Sequence, residues 1–262
     1  MRIAAQLYTI REHTATRSDF LTSLHKLSDI GYREVQLSAV GCMNSGEVSA
    51  ADCRFMLDDL GMKAPLTHRP WEEIKDRTDE CIEFHQTIGA ELVAVGSIPG
   101  EYKQDGLDGY RRFVEDAQPA IEKLKQAGLM FAYHNHAFEF ERMGPNGKTP
   151  FSVMADFELD FEIDTFWVVH AGIDLIALIK DLRGRVPMVH LKDLVPVGNE
   201  IRMAPVGEGN LQWGLILPAL AASDTTLCAV EQDDCYGRDP FDCLKSSFDY
   251  LQNEMLPLLG ST

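Results

Sequence analysis

The chain has 262 residues, 45% hydrophobic and 25% charged, a balance that suits one globular domain able to bury a sizeable core. Its net charge of −17 would repel a phosphate backbone, which argues against a nucleic-acid partner. No run of about 18 apolar residues is present, which argues against a helical membrane span.

In chain order, short apolar runs alternate with helical patterns. The opening MRIAAQLYTIREH turns charged too soon for a signal peptide, and its Ile3–Tyr8 reads as a first strand. Ser18 to Ile30 has helical periodicity, with Phe20, Leu21, Leu24, Leu27 and Ile30 on one face. Strands are predicted at Glu34–Leu37, Lys63–Thr67, Leu92–Gly96 and Met130–His134, then at Phe161–Asp164, Val186–Leu191 and Leu227–Gln232. A second helical stretch, Tyr110 to Ala127, carries Phe113, Ala117, Ile121 and Leu124. The unit helix–Gly–x–strand occurs four times, as IGYREVQL, LGMKAPLT, IGAELVAV and AGLMFAYH, with Gly31, Gly61, Gly89 and Gly128 closing helices. Glu139 to Phe151 reads as a long functional loop. Eight strands alternating with helices predict an α/β chain, a single-domain (β/α)8 TIM barrel over residues 1–262. No GxGxxG follows the first strand, which disfavours a dinucleotide fold. The six cysteines form no CxxC pair and, without an export signal, predict a reduced, cytoplasmic protein.

Catalytic groups of such a barrel lie at the C-terminal ends of its strands. Strand five ends YHNHAFEF, strand six FEIDTFW, strand seven VHLKD and strand eight AVEQDD. These deliver imidazoles and carboxylates to one rim, a donor set for a divalent cation. Each has a plainer reading. Asp164 can cap a helix, His190 can be a satisfied core histidine, and Glu231 after LCAV must be paired if buried. Lys192 can hold a substrate hydroxyl or act as an acid, or pair with Asp193 or Asp233. Glu34 can touch substrate or pair with Arg2 or Arg33. His25 and His85 sit in helical patterns, as surface or packing residues, and His170 is undecided. The glycines of VGEGNLQW are a weak phosphate signal, and the substrate is expected to be unphosphorylated.

These motifs, together with AAQLYTIRE, GYREVQL and IDTFWVVHAG, resemble the xylose isomerase-like barrel superfamily of sugar isomerases, epimerases and inosose dehydratases, over nearly the whole chain. The resemblance implies Asp164, His190 and Glu231 as ligands of one divalent metal. Mn²⁺ is the expected ion, with Mg²⁺, Co²⁺ or Zn²⁺ as alternatives. Many epimerases of the group end strand five in Glu, whereas this chain has His134 there. The fourth ligand is expected to be Glu139, with His134 and His136 facing substrate; a histidine of YHNH is the alternative for that place. Glu231, Glu139 and Lys192 are the expected catalytic residues; His68, His134, His136, Trp167 and Trp213, with Phe166, are expected against the substrate. The expected activity is a sugar isomerase or epimerase acting on a ketose or keto-sugar through an enediolate. The alternative is a keto-inositol dehydratase, and an apurinic-site endonuclease is disfavoured by charge and ligand count. The partner is a small sugar or cyclitol, and a homo-oligomer is compatible with the fold.

Overall fold

Each of the eight apolar runs forms a strand in the computed structural model, which describes residues 1–144, 147–255 and 257. They are β1 (Arg2–Gln6), β2 (Glu34–Leu37), β3 (Lys63–His68), β4 (Leu92–Val95), β5 (Met130–His134), β6 (Asp160–Asp164) and β7 (Met188–Leu191). After a hairpin of β8 (Asp193–Val197) and β9 (Glu200–Ala204) comes the last, β10 (Leu227–Val230). Strands β1 to β7 pair in order, and β10 closes the ring between β7 and β1, every pair parallel.

Side chains alternate across a strand, so each barrel strand feeds two cores. Ile3, Val35, Val93, Phe131, Phe161, Val189 and Cys228 point outward into the layer shared with the helices. Ala4, Leu66, Leu92, Ala94, Ala132, Met188, Leu227 and Ala229 form a separate apolar plug inside the ring. Two residues further along, the inward positions become polar, as in Leu66 to His68, Ala132 to His134, Met188 to His190 and Ala229 to Glu231. The plug is therefore the floor of a polar chamber at the strands' C-terminal ends. At the opposite end Arg2 Nε donates to Glu34 at 2.9 Å, which makes Glu34 a structural partner and removes it from the chamber.

The first helix runs Arg17–Ile30, capped by Thr16, which accepts from Asp19 N; Phe20, Leu24 and Leu27 are buried, while Leu21 turns to solvent. The second long helix begins earlier than its periodicity suggests, at Gly106, and ends at Gln126. Gly89 ends the helix Thr78–Ile88 at φ +76°, a left-handed geometry that costs glycine least. Part of the expected long loop is ordered differently: Phe138–Phe140 form a 3-10 turn, and Thr149 caps a helix at Pro150–Ala155. Pro145 and Asn146 of that loop lie outside the described residues. No helix among the described residues is long and apolar enough to cross a membrane.

The hairpin β8–β9 is absent from the eight expected strands. Its loop is Gly198–Asn199, with Gly198 at φ +63°, which suits the first central position of a type II′ turn. Pro196 argues against a strand by pattern, and it is tolerated because this two-stranded ribbon has open edges.

His85 is fully buried and joins its helix to β3. Its Nδ1 lies 2.5 Å from the Cys81 carbonyl, which can only accept, so Nδ1 carries the proton and Nε2 accepts from the Thr67 hydroxyl at 2.6 Å. Burial lowers its pKa from 6.5 to about 4. The unfolded chain therefore takes a proton first as pH falls, and stability present above pH 6.5 drains away towards pH 4. The loss amounts to about 3 kcal/mol. Urea unfolding should show the advantage of the native chain over His85→Gln shrinking by that amount between pH 7 and pH 4. A constant difference would mean that His85 titrates alike in both states.

Candidate metal and catalytic centre

One donor atom each from His134, Asp164, His190 and Glu231 lies within 4.8 Å of the others, and all four side chains are buried. They stand at the C-terminal ends of β5, β6, β7 and just past β10. Asp164 divides its two oxygens. Oδ1 accepts from Trp167 N at 3.1 Å and caps the helix Thr165–His170, while Oδ2 faces the cluster. The capping role thus occupies one oxygen and leaves the other turned to the cluster.

The imidazole tautomers follow from the neighbours on the far side of each ring. His134 Nδ1 lies 3.1 Å from the Gly96 carbonyl, so it carries the proton and the lone pair on Nε2 faces Asp164 Oδ2 at 3.4 Å. His190 Nε2 lies against Glu162 Oε1 and 2.7 Å from Gln36 Oε1, both acceptors, which turns the Nδ1 lone pair towards Glu231 Oε2 at 2.8 Å. His190 Nδ1 makes no hydrogen bond despite its burial. Two lone pairs and two carboxylates thus converge, and a divalent cation fits such a set of acceptors.

Lys192 supplies the only ammonium among the described residues of this cluster. Its Nζ lies 2.9 Å from Asp164 Oδ2, 2.8 Å from Glu231 Oε2 and 2.9 Å from Asp233 Oδ1. The pairing expected with Asp233 is present, together with contacts to two of the cluster's carboxylates. Burial would raise the Asp164 and Glu231 pKa values, but Lys192 and the imidazoles outweigh it and hold both low. Burial, reinforced by Glu231, pushes Asp233 up to about 6. Burial would also keep His190 neutral, yet Glu162 and Glu231 draw a proton onto it. A metal ion held by His190 would therefore have to displace a proton.

Glu139 is not brought to the cluster. It is fully buried, Tyr133 Oη donates to its Oε1 at 2.6 Å, and His136 N donates to its Oε2 at 2.7 Å. The place expected for it is taken by His134, because the turn at Phe138–Phe140 folds the carboxylate back onto its own strand. Trp213 is likewise displaced from the expected sugar wall. Its indole N–H donates to Asp193 Oδ2 at 2.7 Å, inside the packing below the hairpin. The same carboxylate accepts from Gly207 N and Gly209 N, so the glycine pair of VGEGN grips an internal anion. A Cβ on Gly209 would lie 2.3 Å from Asp193 Oδ1, which accounts for glycine there.

A cavity of about 440 Å³ opens above the cluster, with His68, His134, His136, Lys192, Glu231 and Asp233 along one side. Leu37, Val40, Met43 and Phe84 face it from the other. Burial lowers the pKa of His68, and that of His136 to about 3, which leaves both rings neutral. Trp167 packs beside His136, ring centroids 5.5 Å apart, with Lys192 Nζ 5.7 Å from its ring centroid. Phe166 is buried against Trp167 and His170, and His25 and His170 are exposed. Three polar residues of the chamber escape the strand-end reading: Gln36, Glu162 and, as a cavity-lining group, Asp233. Glu162 was legible, since it sits two residues before Asp164 and strand alternation turns both inward.

The chain aligns over residues 24–253 with the family model described as xylose isomerase-like TIM barrel. An inosose dehydratase of Clostridium perfringens is 26% identical over 147 residues, 49% of this chain and 48% of that enzyme, so the likeness spans about half of its length. A sugar phosphate isomerase/epimerase from Parabacteroides distasonis superposes with a TM-score of 0.79 at 21% identity, covering 96% of this chain and 98% of that one. An L-ribulose 3-epimerase superposes with a TM-score of 0.73 at 14% identity, covering 99% and 96%. With an eight-stranded closed barrel and a model match over most of its length, the chain belongs to the xylose isomerase-like TIM barrel family.

Proposed function

We propose that this chain is a metal-dependent isomerase or epimerase that removes a proton beside the carbonyl of a small keto-sugar. The observation that carries the reading is the convergence of donor atoms from His134, Asp164, His190 and Glu231, with His134 and Glu231 lining a sugar-sized cavity. These four would hold a divalent ion, which supplies a Lewis acid for the substrate's carbonyl oxygen. The second imidazole shifts the preference from Mg²⁺ towards Mn²⁺, Co²⁺ or Zn²⁺, with Mn²⁺ the first to test.

The chain's own groups then divide the work. Glu231 takes the proton from carbon, and Lys192 turns to a substrate oxygen one of the three N–H groups that Asp164, Glu231 and Asp233 hold in the free protein. Neutral His68 and His136 line the cavity as hydroxyl partners, and His136 Nδ1 is buried without a protein partner. Trp167, expected against the substrate, packs behind His136 and is not among the residues lining the cavity. Arg69, the other cation on the described cavity wall, is tied to Glu73, which leaves no free cation for a phosphate and favours an unphosphorylated substrate. Glu139 supports this surface through Tyr133 and the His136 backbone and does not reach the reacting carbon.

A keto-inositol dehydratase is the second reading, favoured by the local likeness to inosose dehydratase. Both reactions begin with the same deprotonation and part at whether a β-hydroxyl leaves. Keto-sugars and keto-inositols incubated in D₂O with Mn²⁺ should include one that gains deuterium at the carbon beside the carbonyl. Loss of water from that product would select the dehydratase, and absence of metal-dependent exchange across the panel would sink both.

A further inference from the structure

Beneath the four donors lies a second polar layer built around Glu162, a residue with no access to solvent or to the cavity. Its Oε1 accepts from Gln36 Nε2 at 2.9 Å and from His68 Nε2 at 2.8 Å, and is in closest contact with His190 Nε2. Gln36 completes a ring, since its Oε1 lies 2.7 Å from the same His190 nitrogen. Its amide orientation is consistent throughout, with the oxygen towards the ring N–H and the nitrogen towards the carboxylate.

This is a costly place for a carboxylate. Burying one costs several kcal/mol unless its partners compensate, and the apolar plug lies immediately below. Packing alone would be served by a neutral side chain. Moreover, Glu162 Oε2 is buried with no protein partner, so the bonds of this side chain are concentrated on one oxygen and directed at two imidazoles. His190 belongs to the proposed metal set, and His68 stands on the cavity wall. Gly96 beside it keeps the seat of that ring open, since a Cβ there would lie 2.9 Å from His68 Nδ1.

We propose that Glu162 is the positioning residue of this centre: it holds His190 and His68 in the Nε2-protonated tautomer, so that the His190 Nδ1 lone pair faces the other three donors and His68 keeps its place on the cavity wall. One buried side chain that contacts neither substrate nor metal would thus set the affinity for both. The proposal rests on the metal-dependent reading above, and its test separates the two. In the metal-free protein, at a pH high enough to remove the second proton of His190, ¹⁵N-resolved imidazole spectra should show the remaining proton of each ring on Nε2. Glu162→Gln offers an amide that can donate to His190 Nε2, and should move His190 towards the opposite tautomer, with an N–H aimed at Asp164 and Glu231. Calorimetric Mn²⁺ affinity should then fall by about 10- to 100-fold, the range for loss of an outer partner to a metal-binding histidine. Should Glu162→Gln not fold, Glu162→Asp withdraws the carboxylate by one methylene and carries the same expectation. Native protein that binds no divalent ion would defeat the metal reading, while the ring spectra would still judge Glu162. Unchanged tautomers in the variant, or Mn²⁺ binding within threefold of native, would overturn the proposal.

Discussion

Replacing Glu231 with Gln is expected to reduce deuterium exchange at the substrate carbon by at least about 100-fold, the lower range for loss of a general base, with the barrel still folded. The group sits just past β10, 5% exposed, on the cavity lining. Its Oε2 lies 2.8 Å from both His190 Nδ1 and Lys192 Nζ. Burial raises the proton affinity of this carboxylate and its cationic neighbours lower it, so it remains ionised at neutral pH. Gln keeps the shape and one carbonyl donor but has no basicity. The measurement is exchange into a competent keto-sugar followed by NMR, beside Mn²⁺ affinity of the same variant. Exchange retained alongside weakened metal binding would reduce Glu231 to a ligand. The cavity histidines would then be the bases to examine.

The second large effect concerns the fourth donor. His134→Ala should weaken Mn²⁺ binding by more than about 100-fold, exceeding the range for outer-layer partners. Glu139→Gln should leave that affinity within a fewfold and lower the melting temperature instead. The contrast follows from where the two side chains spend their hydrogen bonds. His134 commits Nδ1 to the Gly96 carbonyl and leaves Nε2 towards Asp164. Glu139 commits one oxygen to Tyr133 and the other to the His136 backbone, and loses one of these bonds as an amide. Equal Mn²⁺ affinities for His134→Ala and the native protein would return the fourth position to another residue.

The sequence alone determined the barrel and the chemistry of its rim. The near-continuous apolar runs LVAV, MVHL and LCAV, alternating with helical stretches that glycines close, leave little choice but a parallel sheet buried on both faces. Strand periodicity then turns His190 and Glu231 into the ring, two residues beyond Met188 and Ala229 of the plug, and Asp164 inward opposite the outward Phe161 and Ile163. It requires Glu162 inside as well, by the same rule applied to Asp164.

Tertiary structure decided what strand alternation does not reach. Beyond the end of β5 the period of two is lost, and a single 3-10 turn determined that Glu139 folds back onto Tyr133 while His134 faces Asp164. The fate of the VGEGN glycines depended on Asp193, whose carboxylate draws their amides inward from 14 and 16 residues away. Lys192, ambiguous as a charge in VHLKD, acquired its partners only when closure of the barrel set β6, β7 and β10 side by side. Backbone hydrogen bonding and hydrophobic burial are periodic and can be read along a chain. The hydrogen bonds and charges of a chamber are shared between strands far apart in sequence, and the closed ring selects among them.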